Sequence, residues 1–287
     1  MEGRGGERLA REMSYVQRME QCLLTDMRKQ IWRPFMRAVR DYRLLSPGDR
    51  IAVCISGGKD SMLMAKLMQM LHRHTVIPFE PVFLIMDPGY NPENRRLVEE
   101  NAKKLEIPCT IFESDIFEVA NAQEKNPCFL CARMRRGCLY GKAQELGCNK
   151  IALGHHFDDV VGTTALGMFY GGQLQAMAPK LKAKNFPGME LIRPMYLIHE
   201  ANVVAWARTN DLRFIQCACR FTENGAHDPE GGGKRLEIKR LLKELKKTNP
   251  TIEDNIFASI HTLQLDTMVG WKYKGKDYSF LDGYDEE

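Results

Sequence analysis

Between about residue 47 and residue 160, short apolar runs alternate with longer segments whose apolar positions recur at helical spacing. Residues 50–55 (RIAVCI), 79–86, 108–112 and 150–153 read as buried strands, and residues 62–74, 91–105 and 128–146 as helices. This alternation predicts an α/β fold, a doubly wound parallel sheet with helices on both faces. Upstream, Val16, Met19, Leu23, Leu24, Met27 and Ile31 form a helical lead-in over 14–42, with Pro34 marking a kink or break. Downstream the pattern is less regular. It predicts a basic loop over 179–184, a strand over 190–194, a helix over 199–210 and a short strand over 214–219. A glycine break at 231–233 precedes a basic helix over 234–247 and a final helix over 251–265. The expected organisation is a helical N-terminal extension (1–46), the α/β domain (47–220) and a helical C-terminal extension (221–287) packed on the same domain.

The 287 residues are 44% hydrophobic and 27% charged, the balance of a globular chain rather than a disordered or membrane-embedded one. No apolar run approaches the ~20 residues of a membrane span. The polar, Gly-rich start lacks the apolar core of a signal peptide, so a cytoplasmic location without a membrane partner is expected. Forty-one Lys+Arg against 37 Asp+Glu leave a net +4, too mild to imply a nucleic-acid partner by itself. The charge is uneven, however: residues 233–247 hold seven Lys/Arg and two Glu, whereas the last 22 residues hold three Lys and six acids. Nine cysteines, an odd number, argue for reduced thiols rather than a secreted disulfide framework.

Ligands of doubly wound sheets bind outside the carboxyl ends of the strands, and three polar clusters fall there in this sequence. The first is Ser56-Gly57-Gly58-Lys59-Asp60-Ser61, between a strand and a helix start. Paired glycines permit a tight turn with amides facing an anion, and the helix N-terminus adds unpaired N–H donors. Lys59 supplies a point charge and the serine hydroxyls supply donors. The second cluster is Asp87, placed to contact an adenosine or to cap the turn at Pro88-Gly89. The third is Gly154-His155-His156-Phe157-Asp158-Asp159. Adjacent acids there can hold Mg²⁺ or take a proton, or can cap a helix; the histidines fit pocket shaping better than metal ligation.

Cys128-Phe-Leu-Cys131 opens a helix, so its thiols lie on one side and suit a single ion or cluster. Arg133, Arg135 and Arg136 favour their thiolate forms. The other close pair is Cys217-Ala-Cys219, while Cys54 lies inside a strand as a packing thiol. Two thiolates plus one of the late pair leave one iron of a [4Fe–4S] cluster open; a structural zinc site would more naturally use all four. Arg133/Arg135/Arg136, Lys180/Lys182/Lys184 and residues 234–247 could together track an RNA backbone.

The SGGKDS run resembles the PP-loop of the ATP pyrophosphatases, which share a doubly wound fold. That resemblance implies cleavage of ATP between its α and β phosphates, with Asp60 holding Mg²⁺ or shaping the loop, and makes 47–220 a PP-loop ATPase domain. Together with CFLCARMRRGCLYGKAQELG, IALGHHFDD, a basic loop before IRP and a late IQC, it is similar to the tRNA 2-thiocytidine synthetase family over about residues 15–265. The resemblance implies ATP, Mg²⁺ and a [4Fe–4S] cluster on Cys128, Cys131 and Cys217 or Cys219. It also implies a tRNA substrate whose adenylated cytidine receives sulfide from the cluster's open iron, with a cysteine desulfurase upstream. Asp158, Asp159 and Arg135 become the catalytic candidates, and Ser56–Ser61, Asp87, Gly154 and His155 the nucleotide-binding ones. The late motif departs from the family's CxxC, which leaves the third ligand open between its two cysteines. Other readings are a lysidine- or 2-thiouridine-synthetase-like enzyme, or a zinc-stabilised RNA- or nucleotide-binding module without turnover. The oligomeric state is open, with a homodimer among the options.

Overall fold

The computed structural model describes residues 13–121, 127–215, 233–282 and 284. The polar N-terminal tail read from the sequence lies outside them. The described residues fall into two compact units, one within Met1–Asp159 and Ala178–Gly232, the other within Val160–Met177 and Gly233–Glu287.

The first unit opens with α1 (Tyr15–Leu24), started by a Ser14/Gln17 capping box. A π-helical turn, Arg28–Trp32, leads into α2 (Arg33–Asp41). The lead-in therefore breaks at Thr25–Met27 rather than at Pro34, which sits in the first turn of α2, where its missing N–H costs nothing. Then follow β1 (Asp49–Ile55), α3 (Lys59–His74), β2 (Phe79–Asp87), α4 (Pro92–Lys104) and β3 (Cys109–Glu113). A short α5 (Ile116–Asn121) and α6 (Pro127–Glu145) precede β4 (Lys150–Ala152), and α7 (Phe157–Gly171) follows it, with residues 157–159 in this unit and the rest of the helix in the second. The unit ends with β5 (Lys180–Lys182), β6 (Glu190–Ile192) and α8 (Glu200–Thr209).

The sheet order is β3-β2-β1-β4-β6-β5, parallel throughout except for the β5–β6 pair. Residues 179–184 are thus not simply a loop: Lys180–Lys182 is an edge strand, too short for its one alternation to announce it. The strand expected over 214–219 is absent at Phe214 and Ile215, and its remaining positions lie outside the described residues. Phe214 stacks on Trp206 at 6.2 Å and Ile215 packs against the core, so their apolar character serves packing instead of pairing.

Alternation along the central strands sorts the core into two faces. Ile51, Val53, Ile55, Phe83 and Ile85 pack with residues of α1–α4 and α8, while Ala52, Cys54, Leu84, Ile151 and Leu191 pack with Tyr140 and Ala143 of α6. Cys54 is a core thiol, its pKa pushed up to about 12 by burial.

In the second unit the basic helix Lys234–Thr248 buries Ile238 and Leu242, one turn apart. The final helix is Ile252–Ser259, shorter than expected. A hairpin of β7 (Gly270–Tyr273) and β8 (Lys276–Ser279) follows, with Trp271 and Tyr278 stacked across it at 5.6 Å.

A buried ion pair fastens the amino ends of β1 and β4. Lys150 Nζ donates to Asp49 Oδ2 at 2.6 Å and to the Leu44 carbonyl at 3.0 Å, and Asp49 also accepts from the Ser46 amide and the Asn149 side chain. Burial pushes the Asp49 carboxyl up, but these partners outweigh it and hold it below the ordinary carboxylate value. Lys150→Ala leaves Asp49 buried and unpaired and should cost about 3–5 kcal/mol, read as a lower urea midpoint. Because the folded-state pKa of Asp49 is depressed, its contribution is present above the unfolded value near 4 and disappears as pH falls through the folded one. The urea midpoints of wild type and Lys150→Ala should therefore converge in acid.

Candidate active site

Strand order reverses beside β1: β2 and β3 lie on one side, β4 and β6 on the other. The carboxyl ends of β1 and β4 thus flank the crevice where this architecture binds ligands. Ser56–Ser61 follows β1 and starts α3, while Gly154–Asp159 follows β4 and starts α7.

Gly57 has φ +79°, and a Cβ there would lie 2.5 Å from Val98 Cγ2 and 2.7 Å from Ile215 Cδ1. A Cβ at Gly154 would lie 3.0 Å from the Ser61 nitrogen and 3.1 Å from the Asp60 carbonyl carbon, so the chain leaving β4 runs against the first turn of α3. Gly58, the N-cap of α3, offers that turn no side-chain acceptor. The opening amides of α3 are thus left to an anion, which the helix dipole favours.

The two serines differ in use. Ser61 is buried; its Oγ accepts from the Ser56 amide at 3.0 Å and donates to the Gly58 carbonyl at 3.0 Å, closing the loop on itself. Ser56 is exposed, with its Oγ 3.1 Å from that of Ser61. Lys59 Nζ lies 3.2 Å from Asp60 Oδ2 and 3.1 Å from Glu200 Oε1. Burial opposes its charge, but the two carboxylates outweigh burial and hold the ammonium above its ordinary value.

His156 is buried among three acids, with Nε2 3.7 Å from Asp60 Oδ1 and 3.5 Å from Asp159 Oδ2, and Nδ1 3.7 Å from Asp158 Oδ2. Neither Asp60 Oδ1 nor His156 Nδ1 has a hydrogen-bond partner. Asp159 accepts from the His156 amide at 3.0 Å, and Asp158 accepts from the Glu200 amide at 2.7 Å, capping α8. Both acids therefore cap helices, and each does so through one oxygen. His155 stands beside them, half-buried.

Asp87 is committed to its loop: Oδ1 accepts from the amides of Gly89 and Tyr90, and Oδ2 pairs with Arg95. Burial pushes its carboxyl up, but these donors hold it below the usual carboxylate value. Tyr90 then donates to the Ser56 carbonyl at 3.0 Å, tying the β2 exit to the glycine loop. Burial raises the Tyr90 pKa and the charge of Arg135 on α6 opposes it, so Arg135 lies within electrostatic reach of Tyr90.

Cys131 is half-buried in the first turn of α6, with Cys128 one turn before it on the backbone. Nothing is described of the Cys128 side chain, and Cys217 and Cys219 lie outside the described residues. Among the described residues, no group of three His, Cys, Asp or Glu could hold a metal ion alone. An unengaged Asp60 oxygen beside an anion cradle fits Mg²⁺, which usually keeps few protein ligands and shares phosphate oxygens. The paired thiols of one helical turn fit a thiolate-bound cluster as a donor set.

Sequence reasoning did not single out two residues of this neighbourhood. Glu200, which steers Lys59, is 141 positions away from it. Arg193, just after β6, is 7% exposed; its Nη1 donates to the Ala178 carbonyl and its Nε has no partner. Burial lowers its pKa to about 10, and Tyr196, Tyr140, Arg136 and Asp159 are the titratable groups around it. Its place at a strand end in the run IRP was the one available clue.

A glycine loop feeding an uncapped helix N-terminus, at the switch point of a parallel sheet, defines a nucleotide-binding protein of the PP-loop class. A family model of the PP-loop domain matches residues 25–219. The chain belongs to that family and, within it, to the tRNA-cytidine(32) 2-sulfurtransferase family. It is 35% identical over 246 residues to the Alcanivorax borkumensis tRNA-cytidine(32) 2-sulfurtransferase, covering 84% of this chain and 83% of that protein. With the Geotalea uraniireducens protein of the same name it shares 34% over 232 residues, 79% of this chain and 89% of the other. Among solved structures, the U34-tRNA thiolase NcsA of Methanococcus maripaludis, determined with its [4Fe–4S] cluster, superposes with a TM-score of 0.64. The alignment covers 88% of this chain and 82% of that one at 22% identity, a likeness of fold.

Lys59→Ala removes the ammonium beside the opening amides of α3; binding of a fluorescent ATP analogue should weaken by about 1.5–3 kcal/mol, the worth of a charge-assisted contact, roughly 10- to 150-fold, with little change in melting temperature. Gly57→Ala should lower both, because its Cβ meets Val98 at 2.5 Å on a left-handed backbone.

Proposed function

We propose that this chain is an ATP-dependent tRNA sulfurtransferase that replaces the C2 oxygen of a cytidine with sulfur. The observation that carries the reading is the cradle: an uncapped α3 N-terminus at the β1/β4 crevice, with Lys59 kept charged beside it. It suits a nucleoside triphosphate, and relatives so similar over most of their length are named for 2-thiolation of tRNA cytidine.

In this reading the amides of α3, the Ser56 hydroxyl and Lys59 hold the ATP phosphates, and Asp60, with Asp158 or Asp159, holds Mg²⁺ against them. Gly154 and His155 border the nucleotide. Asp87 acts through the loop it orders, because both of its oxygens are engaged. The cytosine C2 oxygen attacks the α-phosphate and pyrophosphate leaves. Sulfide then attacks C2, and AMP departs with the former base oxygen. Arg135 stabilises charge on the phosphate as the bond to C2 breaks. A [4Fe–4S] cluster bound by Cys128, Cys131 and Cys217 or Cys219 would supply an open iron for sulfide. The sulfur would come from a cysteine desulfurase and the reaction would take place in the cytoplasm; no helix among the described residues is long and apolar enough to cross a membrane. A homodimer is compatible with this chemistry. A lysidine synthetase would leave Cys128 and Cys131 idle, and a binding module without turnover would leave the cradle idle.

The test uses anaerobically reconstituted protein with tRNA, ATP and sulfide. Pyrophosphate and AMP should appear in step with 2-thiocytidine in digested tRNA, detected by mass spectrometry. Cys131→Ala should abolish the thiolated nucleoside while leaving ATP-analogue binding intact. Zinc with four sulfur ligands and no iron after reconstitution would sink the proposal.

A further inference from the structure

At the opposite edge of the sheet lies a cavity of about 1110 Å³ in the first unit. Ser46 and Pro47, just before β1, and Thr75–Ile77, before β2, border it, so it opens at the amino ends of the strands. β1 has seven residues, which puts the two edges about 23 Å apart. A mononucleotide held at the carboxyl edge cannot reach this cavity.

Its walls are cationic. Arg28, Lys29, Arg33, Arg37, Arg40 and Arg43 line it, and no acidic residue does. Arg40 pairs with Asp41, but the other five make no ion pair with any described residue. They are exposed, whereas the lining residues Val39, Leu45 and Leu71 are buried. The π-helical turn and α2 generate this arrangement: Lys29, Arg33 and Arg37 recur every four residues along the outer face. In the α-helical part that step is about 6 Å along the axis. Five arginines to one lysine suit phosphates, which the planar guanidinium can bind in bidentate fashion. Half-buried Trp32 lines the same cavity, an aromatic of the kind that stacks an unpaired base.

We infer that this groove is a second RNA-binding surface, which takes the phosphate backbone of the substrate tRNA away from the reacting base. The inference rests on the tRNA reading above and adds where the body of that RNA is held. The unpaired cations are held close together at a cost in mutual repulsion, which a polyanion relieves. An RNA long enough to reach both edges spans more than 20 Å, so binding there selects a folded RNA over free nucleotides.

Full-length tRNA binding is measured by filter retention at several salt concentrations for wild type, Lys29→Glu/Arg33→Glu/Arg37→Glu and the milder Gln triple variant at the same positions. ATP-analogue binding and melting temperature report whether each variant is folded. The charge-reversed variant should bind tRNA at least about tenfold more weakly, and the dependence of log K on log salt should flatten by about 2–3. The Gln variant should show a smaller change of the same sign, with ATP binding unchanged in both. Unchanged tRNA affinity and salt slope would overturn the inference and leave the groove to an acidic protein surface. Wild-type protein that fails to bind tRNA would instead count against the proposed function itself.

Discussion

The carboxyl edge of the sheet depends on one close approach of backbone to backbone. Gly154, leaving β4, lies so near the first turn of α3 that a methyl group would meet the Ser61 nitrogen at 3.0 Å. This contact sets the β4 exit against the glycine loop, and so delivers His156 and the acids of α7 to the start of α3. Gly57 completes the geometry from the β1 side, with its left-handed φ and the packing of Val98 and Ile215 against it. The cradle is therefore produced by what the chain lacks at two positions. An additional carbon would press on the side chains of Val98 and Ile215 at Gly57 and on the backbone of α3 at Gly154.

Around that contact the polar residues divide into those that build and those left available. Ser61 and Asp87 spend their hydrogen-bonding capacity on the loops, and Asp158 and Asp159 each use one oxygen to cap a helix. One Asp60 oxygen stays unengaged, while Lys59 is held between Asp60 and Glu200 and the exposed Ser56 hydroxyl lies 3.1 Å from that of Ser61. Glu200 links the two groups: its amide binds Asp158 and its carboxylate steers Lys59. Within SGGKDS, Ser61 is thus a structural clamp, whereas Asp60 keeps one oxygen unengaged.

The parallel sheet was legible because its central strands are buried on both faces and read as unbroken apolar runs between helical segments. The SGGKDS loop was legible because glycine and lysine at a strand–helix junction have few other uses. Glu200 and Arg193 were not, since their roles arise only when distant segments are folded together. The edge strand Lys180–Lys182 and the Gly270–Ser279 hairpin escaped for a different reason, too few alternations to separate strand from loop. The basic groove was hidden twice, by a net charge of only +4 and because its cations are scattered between the apolar positions of the helical lead-in. Exposure alone does not set this face apart; six cations lining one groove with no acid among the lining residues does.

In the proposed reaction the base oxygen takes the adenylyl group of ATP and later departs with AMP. The decisive measurement uses tRNA whose target cytosine carries a heavy oxygen isotope at C2, incubated with reconstituted protein, ATP and sulfide. The heavy atom should appear in the phosphate of AMP, one per thiolated cytidine. Unlabelled AMP formed alongside 2-thiocytidine would contradict it.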